Sequence, residues 1–393
     1  MEKRIYAGST WVVNQTTELE SLTIAEGADI TATDDQHSVT MTVDGIETGI
    51  KPGTYQGKIM LTVTEANIVK YREFNHYYRQ ALYLDETGVV EPKSVTAAVH
   101  NGKLTSEGAE DIIIKSDGEA FNGIFVAGGN KTIKNAKIDF EGNGGNDFSG
   151  YGSAVMATGK DTRLVVDETE IKTQGAVRTA VTGAGGAKMV INNSNIATTD
   201  GVLPADYVPN VDLGIMKEVP WMLGLAGNCR ATNLLGDDTQ ATYINSSISA
   251  EGWGVLSTDD CQRVKLTAIN SRITITGKSG YGAYVIGNAV ESFYGCEFDV
   301  PDYAVIMTGG TANFGSSDPD RIKTLNSELQ LGLTEEELKS LTEKPTVINS
   351  KRFGVMWHGN GPVNVDGGTV FNCDKTVFLV MSLIHISEPT RPY

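Results

Sequence analysis

Histidine is scarce in this chain, five in 393 residues, and two of them, His76 and His358, sit beside Tyr or Trp, so no zinc site is expected. Positive charge is also in short supply. There are 32 Lys and Arg against 49 Asp and Glu, a formal charge of −17 with a pI near 4.8. With no basic stripe anywhere, that balance excludes nucleic acid as a partner, and it would repel an anionic polysaccharide unless a cation bridged the two. No apolar run is long enough to span a membrane, and Met1-Glu2-Lys3-Arg4-Ile5-Tyr6 lacks the apolar core of a signal peptide. Cysteine is limited to positions 229, 261, 296 and 373. The remaining composition, 44 Gly and 40% hydrophobic residues, is that of an ordinary protein rich in turns.

What is abundant is repetition. Tyr151, Trp221, Trp253, Tyr281, Tyr303 and Phe353 each open the same short phrase, as in Trp253-Gly254-Val255-Leu256 and Phe353-Gly354-Val355-Met356. A second phrase, Asn-Ser-x-apolar-x-apolar, precedes it at Asn193-Ser194-Asn195-Ile196, Asn245-Ser246-Ser247-Ile248 and Asn270-Ser271-Arg272-Ile273, with degenerate copies ending on Ile138, Ile171, Phe298 and Val370. Ile171 to Ile196, Ile248 to Ile273 and Ile273 to Phe298 are each 25 residues apart. Within the phrase, apolar and polar residues alternate with the period of a strand that has one wet face. Each repeat therefore supplies at least two short strands joined by Gly/Asn turns, and the apolar faces are buried only if repeats stack in parallel, about 4.8 Å apart.

In repeat spacing and turn chemistry the chain resembles the right-handed parallel β-helix, or pectin-lyase-like, superfamily over roughly residues 110 to 380. The resemblance implies an all-β, right-handed parallel β-helix solenoid from a bacterium, at the cell surface or secreted. Leucine-rich repeats are set aside because the Leu-x-x-Leu-x-Leu signature is missing, and a propeller needs longer units. Residues 1–110, out of register with the repeats, are expected to form a β-rich N-terminal cap with a hairpin insertion, and residues 111–380 the solenoid. Ser382 to Arg391 looks like the in-frame translation of a sequencing-library adapter, so residues 381–393 are expected to be an artefactual tail and the solenoid to be truncated.

Two interruptions break the repeat. Gly310 to Pro345 carries a capping box from Thr334 to Glu337, which predicts a short helical insertion. Thr199 to Pro220, together with the lengthened turn after Ile138, should form a wall beside the coils. The ligand site expected there uses Asp147, Asp206, Tyr207, Lys217 and Glu218 from the loops against Arg178, Trp221 and Trp253. Carboxylates of different loops could hold calcium; no other cofactor is expected. The aromatic phrases either fill the interior or are covered, which is the favoured reading, or they form an outward platform; Arg178, which shares their alternation, argues for outward.

Catalytic motifs are wanting. Arg321-Ile322-Lys323 matches one element of the polygalacturonase-type hydrolases, but it precedes His358 instead of following it, and no Asn-Thr-Asp element exists. Asp259-Asp260 reads as part of a turn ladder of side-chain hydrogen bonds, Asp237-Asp238 as a turn. Repeat alignment stacks Cys229 and Cys261 within disulfide reach, and two buried thiols is the preferred reading. The function expected is a non-catalytic solenoid that binds polysaccharide or a surface partner, and the alternative is a polysaccharide lyase or glycoside hydrolase of the same fold.

Overall fold

The structure, a computed structural model, describes residues 1–71, 74–203, 227–259 and 261–381. They are mostly strand, arranged in sheets whose long ladders pair in parallel. None of the described helices is long and apolar enough to cross a membrane.

The pairing follows the sequence repeat. In the first long ladder Ile138 pairs with Ile171, Ile171 with Ile196, Ile196 with Ile248, Ile248 with Ile273 and Ile273 with Phe298. This is the register that the 25-residue spacing predicts. All six side chains are buried, whereas Asp139, Lys172 and Asp299, one residue further along, are exposed. Each buried Ile contributes about 1.5–3 kcal/mol as an upper figure, so the column supplies much of the cohesion between repeats.

The Asn-Ser phrase makes the corner that leads into this ladder. Asn135, Asn193, Asn245 and Asn270 have φ of 49, 47, 48 and 50°, the left-handed region that Asn enters more readily than most residues. The next hydroxyl does two jobs. Ser194, Ser246 and Ser271 each donate to the carbonyl two residues earlier, at 2.7, 2.8 and 3.0 Å. Each also accepts the backbone N–H of its counterpart one repeat earlier, from Thr169, Ser194 and Ser246 at 3.1, 3.1 and 3.2 Å. A buried hydroxyl ladder thus satisfies N–H groups that no strand pairs.

The described aromatic phrases continue a second ladder, which begins Phe121–Val126, Val155–Thr158, Val181–Ala184 and Thr232–Leu234 and is carried on to Gly254–Ser257 by the bridges Arg230–Gly254 and Leu234–Thr258. Tyr281 pairs with Tyr303 and Tyr303 with Phe353, as the phrases align. At Trp253 the register differs by one residue: Gly254, not Trp253, pairs with Tyr281. A Cβ at Gly254 would sit 2.4 Å from the Tyr281 ring, so only glycine fits beneath that ring and the pairing slips to place it there.

A third ladder, Gly129–Lys134, Thr162–Asp167, Lys188–Asn192, Gln240–Ile244 and Lys265–Ile269 running on to the second half of Tyr281–Tyr294, has its outer face covered. Val165, Val190, Ile244 and Ile269 pack against Ile322, Leu325, Leu331 and Leu338 of the segment that holds the helices Pro319–Glu328 and Glu335–Ser340. The second helix starts on the Thr334 capping box. The first starts on Asp318, whose carboxylate accepts the Arg321 N–H at 3.0 Å ahead of Pro319, a start signal that the sequence reading passed over. Arg321-Ile322-Lys323 is consequently part of a packing helix, with Arg321 paired to Asp366 at 2.7 Å.

The first 65 residues are built differently. Thr17–Ile24 and His37–Val43 flank Gly53–Glu65 in antiparallel pairing and enclose a separate core of Leu19, Leu22, Met41, Ile59 and Leu61. Glu47 pairs with Ser116 at the junction with the first long ladder, and Phe74–Asp85 runs from a hairpin with Asn67–Tyr71 into the start of the second.

Candidate functional site

The outer face of the second ladder is where the lengthened turn, the aromatic phrases and the buried charges meet. After Lys137–Glu141 the chain folds back over this face. Asn122 Nδ2 donates to the Gly150 carbonyl at 2.9 Å, and Asn233 Nδ2 to the Asp147 carbonyl at 3.0 Å. These bonds set Asp147 against Arg230.

Arg230 Nε donates to Asp147 Oδ2 at 2.6 Å and its Nη2 to Asp259 Oδ2 at 3.1 Å. The guanidinium lies 4.4 Å from the centroid of the Trp253 ring and 5.2 Å from that of Phe148, within cation–π range of both. Arg230 and Asp147 are 1% and 3% exposed, and Asp259 15%. Burial opposes the charge on Arg230, but the carboxylates of Asp147 and Asp259 more than offset it and raise its pKa. For Asp147 burial pushes the carboxyl up, against the pull of Arg230. Burial also pushes the Tyr281 phenol up to about 12, while its hydroxyl lies 3.2 Å from Ser257 Oγ.

Arg178 is not on this surface, which corrects the expectation that it shares the outward alternation. Val177 has φ of 55°, and a left-handed residue breaks the two-residue alternation of a strand. The side chain that follows is fully buried. Arg178 Nη1 donates to the Asn143 carbonyl at 3.0 Å and Nη2 to Ser116 Oγ at 3.3 Å, and its guanidinium lies 4.8 Å from the ring centroid of Phe140, a core residue. Ser116 Oγ donates to Glu47 at 2.6 Å, and Arg79 reaches the same carboxylate at 3.1 Å. Burial pulls Arg178 down to about 10 and Glu47 works the other way, so it is charged at neutral pH.

Of the residues that the sequence offers for a ligand site, the structure brings Asp147 and Trp253 together at Arg230 and places Arg178 elsewhere. Asp206, Tyr207, Lys217, Glu218 and Trp221 lie outside the described residues, as does Asp260. Phe148 and Asn233 were missed, because only the folded loop sets them beside the aromatic phrases, and Ser257 because its contact with Tyr281 depends on the register between neighbouring strands. Asp237 and Asp238 are both taken by the exposed Arg263, at 3.3 and 2.7 Å. Among the described residues no group of three or more His, Cys, Asp and Glu is placed to hold a metal. Cys229 and Cys261 are both buried.

The aromatic phrases neither fill the main core nor stand fully open. Trp253, Tyr281, Tyr284, Tyr303 and Ile306 form a cluster of their own. Trp253 and Tyr281 are buried under the Arg230 group; Tyr284, Tyr303 and Ile306 are half-buried. Phe353, also half-buried, stacks on Tyr303 with centroids 5.4 Å apart and planes at 14°. Beside them Arg352, 49% exposed, lies 5.8 and 5.2 Å from the two rings and pairs with Asp302 at 3.1 Å. The result is a ledge that is closed at Trp253 and open at Phe353.

No known family matches the chain, and no curated protein matches it. Two crystal structures of variants of the periplasmic alginate epimerase AlgG are similar at 8% and 9% identity, over 71% of this chain and 80% of theirs, with a TM-score of 0.17 in each case. A likeness of that size carries no argument about fold or activity.

Proposed function

We propose that the chain is a right-handed parallel β-helix solenoid, displayed on a bacterial surface or secreted, that binds carbohydrate on the ledge from Trp253 to Phe353 without turning it over. In this reading residues 1–110 cap the first repeat and residues 111–380 form the solenoid. The observation that carries the proposal is the open end of the ledge, where the parallel Tyr303 and Phe353 rings and the half-exposed Arg352 offer a flat apolar surface beside a few polar donors. The closed end supports binding over catalysis. Asp147 and Arg230 satisfy each other out of reach of solvent, so neither is presented to a substrate as a general acid or base. Asp147 is engaged in this way, so calcium is not part of the proposal.

A glycan array identifies the ligand, and Tyr303→Ala, Phe353→Ala and Arg352→Ala should then each weaken binding about fivefold with the circular dichroism unchanged, since an aromatic contact is worth about 1 kcal/mol. No glycan bound, or three unchanged affinities, refutes the site. Reducing-end and unsaturated-product assays on the bound glycan address the alternative: turnover abolished by Asp259→Asn alone would make the protein a lyase or hydrolase.

A further inference from the structure

Glu291 is a carboxyl that the ledge does not use. It stands in the inward column Met189, Ala241, Leu266, Glu291, Ala312 of the third ladder and is fully buried, with Leu266 and Ala312 as its pairing neighbours on either side. Its Oε1 lies 3.1 Å from Thr258 Oγ1, and its Oε2 has no partner. The Thr258 hydroxyl has three contacts: Glu291, the Tyr284 carbonyl at 2.9 Å and the Ile286 N–H at 3.4 Å.

Counting protons decides the direction of these bonds. A threonine hydroxyl carries one hydrogen. The Tyr284 carbonyl, which also accepts the Thr258 N–H at 3.0 Å, is nearer to Oγ1 than Glu291 is, at 2.9 against 3.1 Å, so we assign that hydrogen to Tyr284; the Ile286 N–H can only donate and is received by Oγ1. The Glu291 contact is then a good hydrogen bond only if the carboxyl is protonated and donates to Thr258. Among the described residues no cation compensates the alternative. Burial pushes the Glu291 carboxyl up and Thr258 opposes it, and the titratable neighbour among the described residues is the Tyr243 phenol, itself buried.

We propose that Glu291 is carried as the neutral acid and works as a proton-held latch between consecutive repeats. Through Thr258 it ties the strand Gly254–Ser257 to Tyr281–Tyr294, underneath the aromatic ledge. Removing the proton leaves a lone charge in the apolar interior and puts Tyr284 and the carboxylate in competition for one hydrogen, so the latch opens at alkaline pH. The inference stands whether or not the ledge binds carbohydrate.

The sign follows from linkage. A carboxyl whose folded pKa is raised contributes stability that is fully present below the unfolded value of 4.5 and is lost as pH rises towards and through the folded value. Over that window the folded-to-unfolded ratio should fall by up to about tenfold per pH unit. Denaturant unfolding of wild type and Glu291→Gln from about pH 6 to about pH 9 tests this, because the neutral amide keeps a donor for Thr258 but cannot ionise. The expected result is a wild-type profile that falls away from the variant's as pH rises; parallel profiles overturn the latch. Infrared spectroscopy of the wild type gives a second reading if the variant does not fold. A protonated-carboxyl stretch that persists at neutral pH and bleaches at alkaline pH supports the proposal, and its absence at neutral pH overturns it.

Discussion

Arg178 and Arg230 each precede a strand of the second ladder in consecutive repeats, and both are buried, yet they are neutralised in opposite ways. Arg178 turns inward, beside the core residue Phe140. Its counter-charge comes from outside the repeats, from Glu47 of the antiparallel region, relayed through Ser116. Arg230 stays on the outer face, where a folded-back loop and the neighbouring repeat deliver Asp147 and Asp259 directly. A stack of similar repeats can thus host a charge inside only near an end that supplies its partner, whereas its outer face can host one wherever a loop is long enough to return.

Asp147→Ala should have the largest effect, about 3–5 kcal/mol in denaturant unfolding, because it strands the buried Arg230 with a single partner. Arg230→Met should cost clearly less, since Asp147 can then take up a proton where Arg230 could not lose one; equal costs would mean that packing and not charge governs the group. Glu47→Gln comes next, at about 2–3 kcal/mol, because Arg79 is partly exposed and Arg178 is reached only through Ser116. Limited proteolysis should show the first 65 residues loosening before the repeats.

Ser246→Ala should cost about 1–2 kcal/mol, as it leaves the Ser194 N–H without an acceptor in the hydroxyl ladder. The same substitution at the exposed Ser247 should be silent within about 0.5 kcal/mol. Val177→Gly should be the mildest core change, within about 1 kcal/mol of wild type, because relief of the left-handed backbone offsets the lost side chain. Val181→Gly, in an ordinary strand, should cost about 3 kcal/mol or more. If the two glycine variants unfold alike, Val177 is not strained and the explanation for the inward turn of Arg178 fails.

The columns of the first ladder were legible because a single rule generates them. Alternation selects the faces, and the spacing from Ile171 to Ile196 and from Ile248 to Phe298 selects the partners. The Asn-Ser corner was legible as a turn, though its hydroxyl ladder was not. The slip at Gly254 was invisible because the phrases match aromatic to aromatic and Gly to Gly, Trp253 on Tyr281 and Gly254 on Gly282, which is one residue away from the register observed. Arg178 was misplaced for a related reason: alternation was carried through Val177, a residue type that gives no warning of a positive φ. Two members of the Arg230 group, Asp147 and Trp253, are legible from loop length and aromatic phrase, while the arginine that joins them stands in no repeat phrase that would single it out.

By itself, then, the sequence determined the all-β character, the repeat and the register of the isoleucine column, since these depend on periodicity that each repeat states again. Only the tertiary structure decided which arginine is inside, which loop carboxylate meets the arginine left on the outer face, where the aromatic ledge opens and that Glu291 faces Thr258. The Asp147–Arg230 contact, for one, joins residues 83 positions apart and is set by how far one loop folds back, a distance on which the local pattern is silent.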